Sequence, residues 1–223
     1  MPPGAPRLLL GSRRDSVPAS MPLAGVILAG GRSARMGTLK ALLDFRGEPF
    51  VVRILEAFEA LDLKTRVVVL GPDAARIRPM VASHQCLVVE NPDVSAGPIA
   101  SLRCALAALE AIRPPAALVW PVDLPHVHLS TVERLVEAYR RRRAPVTVPT
   151  FAGRRGHPVI WDQCLFDELR TSEVATREGA RAVLHAHAAE ALAVSVDDPA
   201  VSDFINTPAD YERLIREINR DAY

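Results

Sequence analysis

The sequence predicts a doubly wound α/β domain built on a mostly parallel sheet. Short aliphatic runs alternate with helical stretches along the chain, which is the order expected of βαβ units. The runs are rich in Val, Leu and Ile and nearly continuous, as in strands that are buried on both faces of a sheet. No internal repeat and no boundary rich in Gly and Ser divides the 223 residues, so we expect a single domain.

The predicted elements follow this alternation from residue 22 onward. The strands are expected at Gly25–Ala29, Arg66–Leu70, Leu87–Glu90, Ala117–Val122 and Val146–Pro149, and the helices within residues 49–62, 72–84, 97–112 and 130–143. In the first helix, Val52, Leu55, Phe58 and Leu61 share one face because they are three residues apart. Ser130 and Glu133 form an S-x-x-E pattern, which predicts that a capping box opens the fourth helix. The four arginines at residues 140–143 are expected to form its solvated end.

The first twenty residues differ from the rest in composition. They are rich in Pro, Ser and Arg, and their longest apolar run is Leu8–Leu10. That run is too short for a signal peptide, and no later segment approaches the length of a membrane helix. We therefore interpret residues 1–20 as a disordered tail or a misassigned start, followed by one domain at residues 21–223.

Charge and cysteine content limit the classes of function. The formal net charge is +1, which gives no electrostatic reason to expect a nucleic-acid or membrane-surface protein. The three cysteines, Cys86, Cys104 and Cys164, are odd in number and far apart in the sequence. This pattern favours reduced thiols in a cytoplasm over a disulfide framework or a zinc cluster.

The segment GVILAGGRSARMGTLKALLDFRG at residues 25–47 has the features of a phosphate-binding loop. It is not a P-loop, because Gly37 is followed by Thr38 rather than by lysine. It is not the dinucleotide fingerprint either, because Gly30 and Gly31 are adjacent and Ala34 stands at the position of the last glycine. Glycines at the end of a first strand let the backbone approach a ligand closely, and Arg32, Arg35 and Lys40 would bring positive charge to a polyphosphate.

Asp123 follows another predicted strand directly, at the edge of the sheet where ligands bind in open α/β folds. A lone carboxylate at that edge, followed closely by Pro125, suits Mg²⁺, which takes few protein oxygens and completes its coordination with substrate phosphates. The sequence therefore predicts a magnesium ion held by Asp123.

These motifs together resemble the MobA-like nucleotidyltransferases. LAGGRSARMGTLK at residues 28–40 is similar to the family signature L-A-[AG]-G-x-S-x-R-M-G-x-x-K. Four more blocks follow in the family's order, and all five span residues 26–214: ENPDVSAGPIASL, PVDLPHV, GRRGHPVIW and DFINTPADYERL, at residues 90–102, 121–127, 153–161 and 203–214.

The resemblance implies a Rossmann-like fold of the nucleotide-diphospho-sugar transferase (GT-A) type and a Mg²⁺-dependent transfer of NMP from an NTP to molybdopterin, with release of pyrophosphate. The resemblance also implies a molybdoenzyme or its chaperone as a partner. Transferred residue by residue, the catalytic residues are Lys40, Arg35 and Asp123, and the metal ligands are Asp123 and Asn206. The acceptor is expected at Arg155 and His157, and the nucleotide at Leu28, Ala29, Gly30, Gly31, Arg32, Lys40, Asn91, Ser95 and Gly97.

Different parts of the sequence favour CTP and GTP as the nucleotide. Cytidylyl members of the family usually have L-A-A-G and guanylyl members L-A-G-G, so the sequence at residues 28–31 favours GTP, because the second glycine is expected to leave room for a larger base. Asn206 in the block NTPAD points the same way. The blocks GRRGHPVIW and GARAVLHAH, at residues 153–161 and 179–187, resemble the cytidylyl branch and favour CTP slightly.

Three other functions stay open from the sequence. The same fold could transfer a nucleotide to a sugar or alditol phosphate, or the chain could bind an NTP and a molybdenum cofactor protein without catalysis. A glycosyltransferase of similar architecture is a further alternative, but that class usually carries a D-x-D metal motif, and Asp123-Leu124-Pro125 is not one.

Overall fold

A computed structural model describes residues 22–221 of the chain. The predicted tail at residues 1–20 lies outside the described residues. The strands are β1 (Ala24–Ala29), β2 (Asp44–Phe45), β3 (Glu48–Pro49), β4 (Thr65–Leu70), β5 (Leu87–Glu90), β6 (Ala116–Pro121), β7 (Val146–Phe151), β8 (Arg154–Arg155), β9 (Val159–Asp162) and β10 (Leu192–Ser195). The helices are α1 (Phe50–Ala60), α2 (Ala74–Val81), α3 (Pro98–Ala108), α4 (Leu129–Arg142), α5 (Phe166–Thr171), α6 (Glu173–Glu178), α7 (Arg181–Ala186) and α8 (Pro208–Asp221). All five predicted strands and all four predicted helices are present, with ends shifted by a few residues.

One mixed, mostly parallel sheet organises the molecule. Its strands lie in the order β10-β7-β9-β6-β1-β4-β5, with β8 paired to β7, while β2 and β3 form a separate hairpin. β1 is parallel to both β4 and β6, with Ile27 between Val68 and Trp120. β9 runs antiparallel to its neighbours β6 and β7. The predicted doubly wound α/β fold is thus confirmed, with an antiparallel strand that the sequence pattern had not indicated.

Helices cover both faces of the sheet, because its strands carry apolar side chains on both sides. Buried residues of α1, α2, α4 and α8 pack on one face, around Ile27 and Trp120. Buried residues of α3, α5, α6 and α7 pack on the other, around Val26 and Trp161. The predicted apolar face of α1 is confirmed, since Val52, Leu55 and Phe58 are all buried there. None of the helices within residues 22–221 is both long and apolar enough to cross a membrane.

The predicted capping box at Ser130 is wrong. Helix α4 begins one residue earlier, at Leu129, and no side-chain hydrogen bond caps it from the flanking His128. Instead, the buried Asp198 carboxylate accepts hydrogen bonds from the His128 backbone N–H (2.9 Å) and from Thr131 Oγ1 (2.8 Å). A carboxylate from 70 residues away in the sequence therefore satisfies this helix start, and a local pattern does not reveal it. The predicted C-terminal end of α4 is confirmed. The run of arginines forms its last turn, and Arg143 is left-handed at the C-cap.

Candidate active site

A cavity of about 860 Å³ opens where β1, β4 and β6 end. The residues directly after these parallel strands line it, which is the edge where ligands bind in open α/β sheets. The start of α3, the strands β7 and β9, helix α7 and the segment before α8 complete its walls. The cavity is large enough for a nucleotide together with part of a second substrate.

The loop after β1 is folded by its own sequence. The backbone N–H groups of Met36 (2.9 Å) and Gly37 (3.2 Å) donate to the carbonyl of Ser33, and Gly37 has a φ of 72°, a left-handed conformation that suits glycine. Met36 and Leu39 are buried in the core and anchor the loop from below. This explains the M-G-x-x-K spacing, because the anchored turn delivers Lys40 to a short 3-10 helix, Lys40–Leu42, at the cavity wall.

Lys40 lies at the centre of the site. Its Nζ donates to Asp123 Oδ2 at 2.9 Å and to Asn206 Oδ1 at 2.8 Å, so it links residues that are 83 and 166 positions away in the sequence. The side chains of Lys40 and Asp123 are 13% and 19% exposed, so water screens their ion pair only partly. Arg35 Nη2 also reaches Asn206 Oδ1, at 3.3 Å.

Asn206 is held in place by the helix start that follows it. The Asp210 carboxylate accepts hydrogen bonds from the backbone N–H groups of Asn206 (3.0 Å) and Thr207 (2.8 Å) and from Thr207 Oγ1 (2.8 Å). These bonds, the one from the Thr207 side chain first, lower the pKa of Asp210. The Ile205 N–H donates to the carbonyl of Asp123 at 3.0 Å, which fastens the two metal-site candidates to each other through the backbone. The N-T-P-x-D block thus serves to position an amide oxygen beside Asp123.

His157 forms a buried part of the opposite wall. Its backbone N–H donates to the Val201 carbonyl at 2.7 Å, and its ring packs edge-on against Phe204, with 5.6 Å between the centroids. Burial lowers the pKa of His157, and the Asp123 carboxylate opposes this only in part. Its Nδ1 is buried and has no hydrogen-bond partner among the described residues. Burial thus favours the neutral form of the imidazole, which lines the wall with its Nδ1 inaccessible.

Sequence reasoning missed most of the wall that α6 and α7 form. Glu178, Arg181 and His185 line the cavity there, together with Leu184, on the same side as Trp161. The sequence indicates only that the block at residues 179–187 resembles the cytidylyl branch, and it singles out no residue within the block. The signal that could have found Arg181 is the glycine at 179 followed within two residues by a cation at a helix start.

Gly30 and Ser101 are packed against each other at the wall of the cavity. A Cβ at Gly30 would lie 2.7 Å from Ser101 Oγ, and a Cβ at Gly71 would lie 2.3 Å from the Gly30 carbonyl oxygen. The buried Asn91 donates from Nδ2 to Ser101 Oγ at 3.0 Å and accepts from the Asp93 N–H at 3.0 Å. Ser101 thus fills the space beside Gly30, the position at which the two family signatures differ, whereas a Cβ at Gly31 would meet nothing within 4 Å.

Most residues predicted for the site lie around this one cavity. They are Leu28, Ala29, Gly30, Gly31, Arg35, Lys40, Gly97, Asp123, Arg155, His157 and Asn206. Arg32, Asn91 and Ser95 are not among the lining residues. Arg32 is exposed, Ser95 bonds to Asp93 through both its N–H and its hydroxyl, and Asn91 reaches the cavity only through Ser101.

The oxygens that converge on Lys40 fit the donor set of a hard cation. Asp123 and Asn206 each present one oxygen to the same ammonium group, and a carboxylate and an amide oxygen are ligands that a hard cation prefers. Within residues 22–221, no three side chains of His, Cys, Asp and Glu come together as a metal cluster. The arrangement therefore suits an ion that takes two protein oxygens and relies on substrate oxygens for the rest.

A family model matches three quarters of the chain. The model of the MobA-like NTP transferase domain matches residues 25–192, which include the glycine loop, Lys40 and Asp123. The chain belongs to the MobA-like NTP transferase family. Asn206 lies beyond the matched range, so its place in the site comes from the structure.

Curated relatives of this MobA-like chain include two enzymes that align along almost all of their length. It is 34% identical to the molybdenum cofactor guanylyltransferase of Ralstonia nicotianae, over 86% of the chain and 95% of that protein. It is 30% identical to the enzyme of the same name from a Shewanella species, over 90% of the chain and 99% of that protein. Two other alignments are partial. They cover 58% of a probable molybdenum cofactor guanylyltransferase of Rhodopirellula baltica and 29% of the bifunctional protein GlmU of Bifidobacterium animalis subsp. lactis.

Solved structures agree with the MobA-like fold. Rv0371c of Mycobacterium tuberculosis superposes with a TM-score of 0.74 at 27% identity, covering 88% of this chain and 98% of that one. A structure of the same mycobacterial protein in complex with manganese superposes with a TM-score of 0.70 at 25% identity, covering 87% and 98%.

Proposed function

We propose that this nucleotidyltransferase moves the NMP moiety of an NTP onto the phosphate of a molybdopterin-type acceptor, with release of pyrophosphate. The observation that carries the proposal is the convergence of Asp123 and Asn206 on one cation, Lys40, inside a cavity that continues to a second, separately lined wall. The Ralstonia and Shewanella relatives, which align over most of the chain and are named molybdenum cofactor guanylyltransferases, support the choice of acceptor.

The reaction needs no general base from the protein. The second pKa of a phosphomonoester is about 6, so the acceptor phosphate is largely a dianion at neutral pH. One of its oxygens attacks the α-phosphorus of the NTP, the bond from that phosphorus to the bridging oxygen breaks, and pyrophosphate leaves with the electron pair. The protein contributes orientation and positive charge, which are the main sources of catalysis in phosphoryl transfer.

The loop after β1 supplies the contacts to the nucleotide, and Asp123 and Asn206 supply the metal ligands. Gly30 and Gly31 bring the backbone close to the nucleotide, and Lys40 and Arg35 neutralise its phosphates. Asp123 and Asn206 would hold Mg²⁺ or a similar ion, which when bound supplies charge neutralisation on the phosphate oxygens. The manganese complex of the mycobacterial relative supports a divalent metal of this size.

The acceptor belongs to the wall formed by Arg155, His157 and helix α7. Arg155 offers positive charge to the acceptor phosphate, and the ring of His157 forms part of the same wall. Trp161 and Leu184, which are buried in the core, form the apolar base of this wall. In this arrangement the loop after β1 binds the nucleotide, and the wall of Arg155, His157 and helix α7 binds the acceptor.

For the nucleotide we infer GTP, because the Ralstonia and Shewanella relatives, which align over most of the chain, are named molybdenum cofactor guanylyltransferases. The space expected beside the glycine pair is taken by Ser101 at Gly30 but is open at Gly31. The slight preference for CTP remains the second candidate, since it rests on the blocks at residues 153–161 and 179–187, and both contribute residues to the cavity wall.

Calorimetric titration followed by a transfer assay tests the proposal. GTP, CTP, ATP and UTP are titrated into the protein with Mg²⁺, and the protein is then incubated with molybdopterin and each nucleotide. We expect one nucleotide to bind best and to give both a dinucleotide product and one pyrophosphate per product. Pyrophosphate release that is independent of molybdopterin would instead support another acceptor or simple hydrolysis.

A further inference from the structure

The ammonium of Lys40 occupies the position that a divalent cation would take. Its Nζ is 2.9 Å from Asp123 Oδ2 and 2.8 Å from Asn206 Oδ1, which are the two oxygens best placed to ligate a metal. We propose that the Lys40 ammonium excludes a divalent metal ion from Asp123 and Asn206 until a triphosphate is bound. The metal then binds together with the triphosphate and not alone. The inference rests on the proposed nucleotide and metal site, but it does not depend on transfer to any acceptor.

Electrostatics makes the two cations exclusive. A metal ion on these oxygens would be about 2–2.5 Å from each of them. It would then lie within a few ångström of an ammonium that keeps its own bonds to the same atoms. The pair is only partly exposed, so solvent screens this repulsion weakly. The ammonium must therefore leave before the metal can bind well.

A bound triphosphate offers the Lys40 ammonium alternative oxygen partners. Lys40, Gly30 and Gly31 line the same cavity, so phosphates bound at the glycine loop lie within reach of the flexible lysine side chain. Once the ammonium binds the phosphates, Asp123 and Asn206 are free, and the phosphates supply the metal's remaining oxygens. By linkage, the triphosphate raises the affinity for metal by the same factor by which metal raises the affinity for the triphosphate.

Arg35 cannot replace Lys40 in this role. Its guanidinium reaches Asn206 Oδ1 at 3.3 Å in an exposed position, and Lys40 is the residue that makes an ion pair with Asp123 among the described residues. Asp123 has a backbone link to Ile205 but no second cation bonded to its carboxylate in residues 22–221. Removing the Lys40 charge therefore leaves a carboxylate that is available to a metal ion.

Electron paramagnetic resonance of free Mn²⁺ measures the exclusion directly. The wild type, Lys40→Met and Arg155→Met are titrated with Mn²⁺ without nucleotide. Methionine keeps most of the side-chain volume of lysine without its charge, and Arg155→Met removes a charge from the same cavity without touching Asp123. We expect Lys40→Met to bind Mn²⁺ at least about tenfold more tightly than the wild type, and Arg155→Met to change the affinity much less. Asp123→Asn added to Lys40→Met should abolish the gain, which assigns the ion to this site.

Equal Mn²⁺ affinity of the wild type and Lys40→Met would overturn the inference, as would an equal gain in Arg155→Met. Adding a non-hydrolysable α,β-methylene GTP or CTP analogue gives the second readout, corrected for Mn²⁺ bound by the analogue in solution. The analogue should raise the affinity of the wild type for Mn²⁺ more than that of Lys40→Met, and an equal rise in both would also contradict it. Circular dichroism establishes that the variants fold, and Lys40→Gln serves if Lys40→Met does not. Failure of molybdopterin transfer alone would refute the proposed acceptor and leave the Mn²⁺ difference intact.

Discussion

Replacing Gly30 by alanine tests the packing under the glycine loop. The new Cβ would lie 2.7 Å from Ser101 Oγ, closer than these atoms can approach, so Ser101 must move. Ser101 is only 5% exposed and accepts a hydrogen bond from Asn91 Nδ2, so a movement also leaves a buried amide unpaired. Overpacking costs about 1–3 kcal/mol, and an unpaired buried donor costs about as much. Relaxation of the packing around Ser101 and the lower entropy of the unfolded alanine variant offset part of these two costs. We therefore expect the free energy of unfolding to decrease by about 2 kcal/mol.

Gly31→Ala is the matched control, because a Cβ there meets nothing within 4 Å and its backbone conformation is open to alanine. It should leave the free energy of unfolding unchanged or slightly higher. A loss of about 2 kcal/mol corresponds to a decrease in Tm of roughly 4–8 °C for a chain of this size. Thermal and urea unfolding of both variants measure the difference.

A double-mutant cycle assigns the effect to Ser101. In Gly30→Ala/Ser101→Ala the colliding hydroxyl is gone, so the loss should be smaller than the sum of the two single losses by about 1 kcal/mol or more. Equal stability of Gly30→Ala and Gly31→Ala would refute the reasoning, and so would strictly additive losses in the cycle.

Three further predictions concern the chemistry of single side chains. Asp123→Ala should lower nucleotide transfer by about 100-fold or more while circular dichroism stays unchanged, and a variant that keeps a tenth of the activity would exclude its metal role. Burial lowers the pKa of His157, so the unfolded chain takes up a proton that the folded one does not as the pH falls below about 6.5. Urea unfolding should therefore give a free energy that decreases from pH 7 to pH 5, with a shallower slope in His157→Gln, and an unchanged slope would contradict this assignment. Partial burial and the Asp162 carboxylate raise the pKa of Cys164 to about 11, so iodoacetamide should alkylate it much more slowly at pH 8 than it alkylates free cysteine. Asp162→Asn should speed this reaction, and a wild-type rate equal to that of free cysteine would show that the thiol is unperturbed.

Local pattern was enough for the elements that local physics decides. The aliphatic run of β5 was predicted with the observed ends, Leu87–Glu90, because a short continuous apolar run between turn signals is typical of a strand. Asp123 was found from the sequence because the strand before it ends at the sheet edge where ligands bind. The resemblance to a known family supplied Asn206, which composition and spacing alone did not identify.

Contacts between distant segments account for what the sequence could not predict. The start of α4 is satisfied by Asp198, and no feature near Ser130 indicates that a carboxylate arrives from there. Asn91 was assigned to the nucleotide, but its two hydrogen bonds go to Ser101 and Asp93, which depends on how α3 packs against β5. The antiparallel strand β9 lies between β6 and β7, an order that the pattern of alternating elements does not encode.

Mass spectrometry of the transfer product tests the central claim most directly. The protein is incubated with molybdopterin, Mg²⁺ and an equal mixture of GTP and CTP, and the products are separated and weighed. The account predicts a molybdopterin dinucleotide that carries one NMP, GMP in preference to CMP, with an equal amount of pyrophosphate. Asp123→Ala should give about 100-fold less of both products, or lower still. Unmodified molybdopterin after incubation with both nucleotides, from protein that binds them, would contradict it.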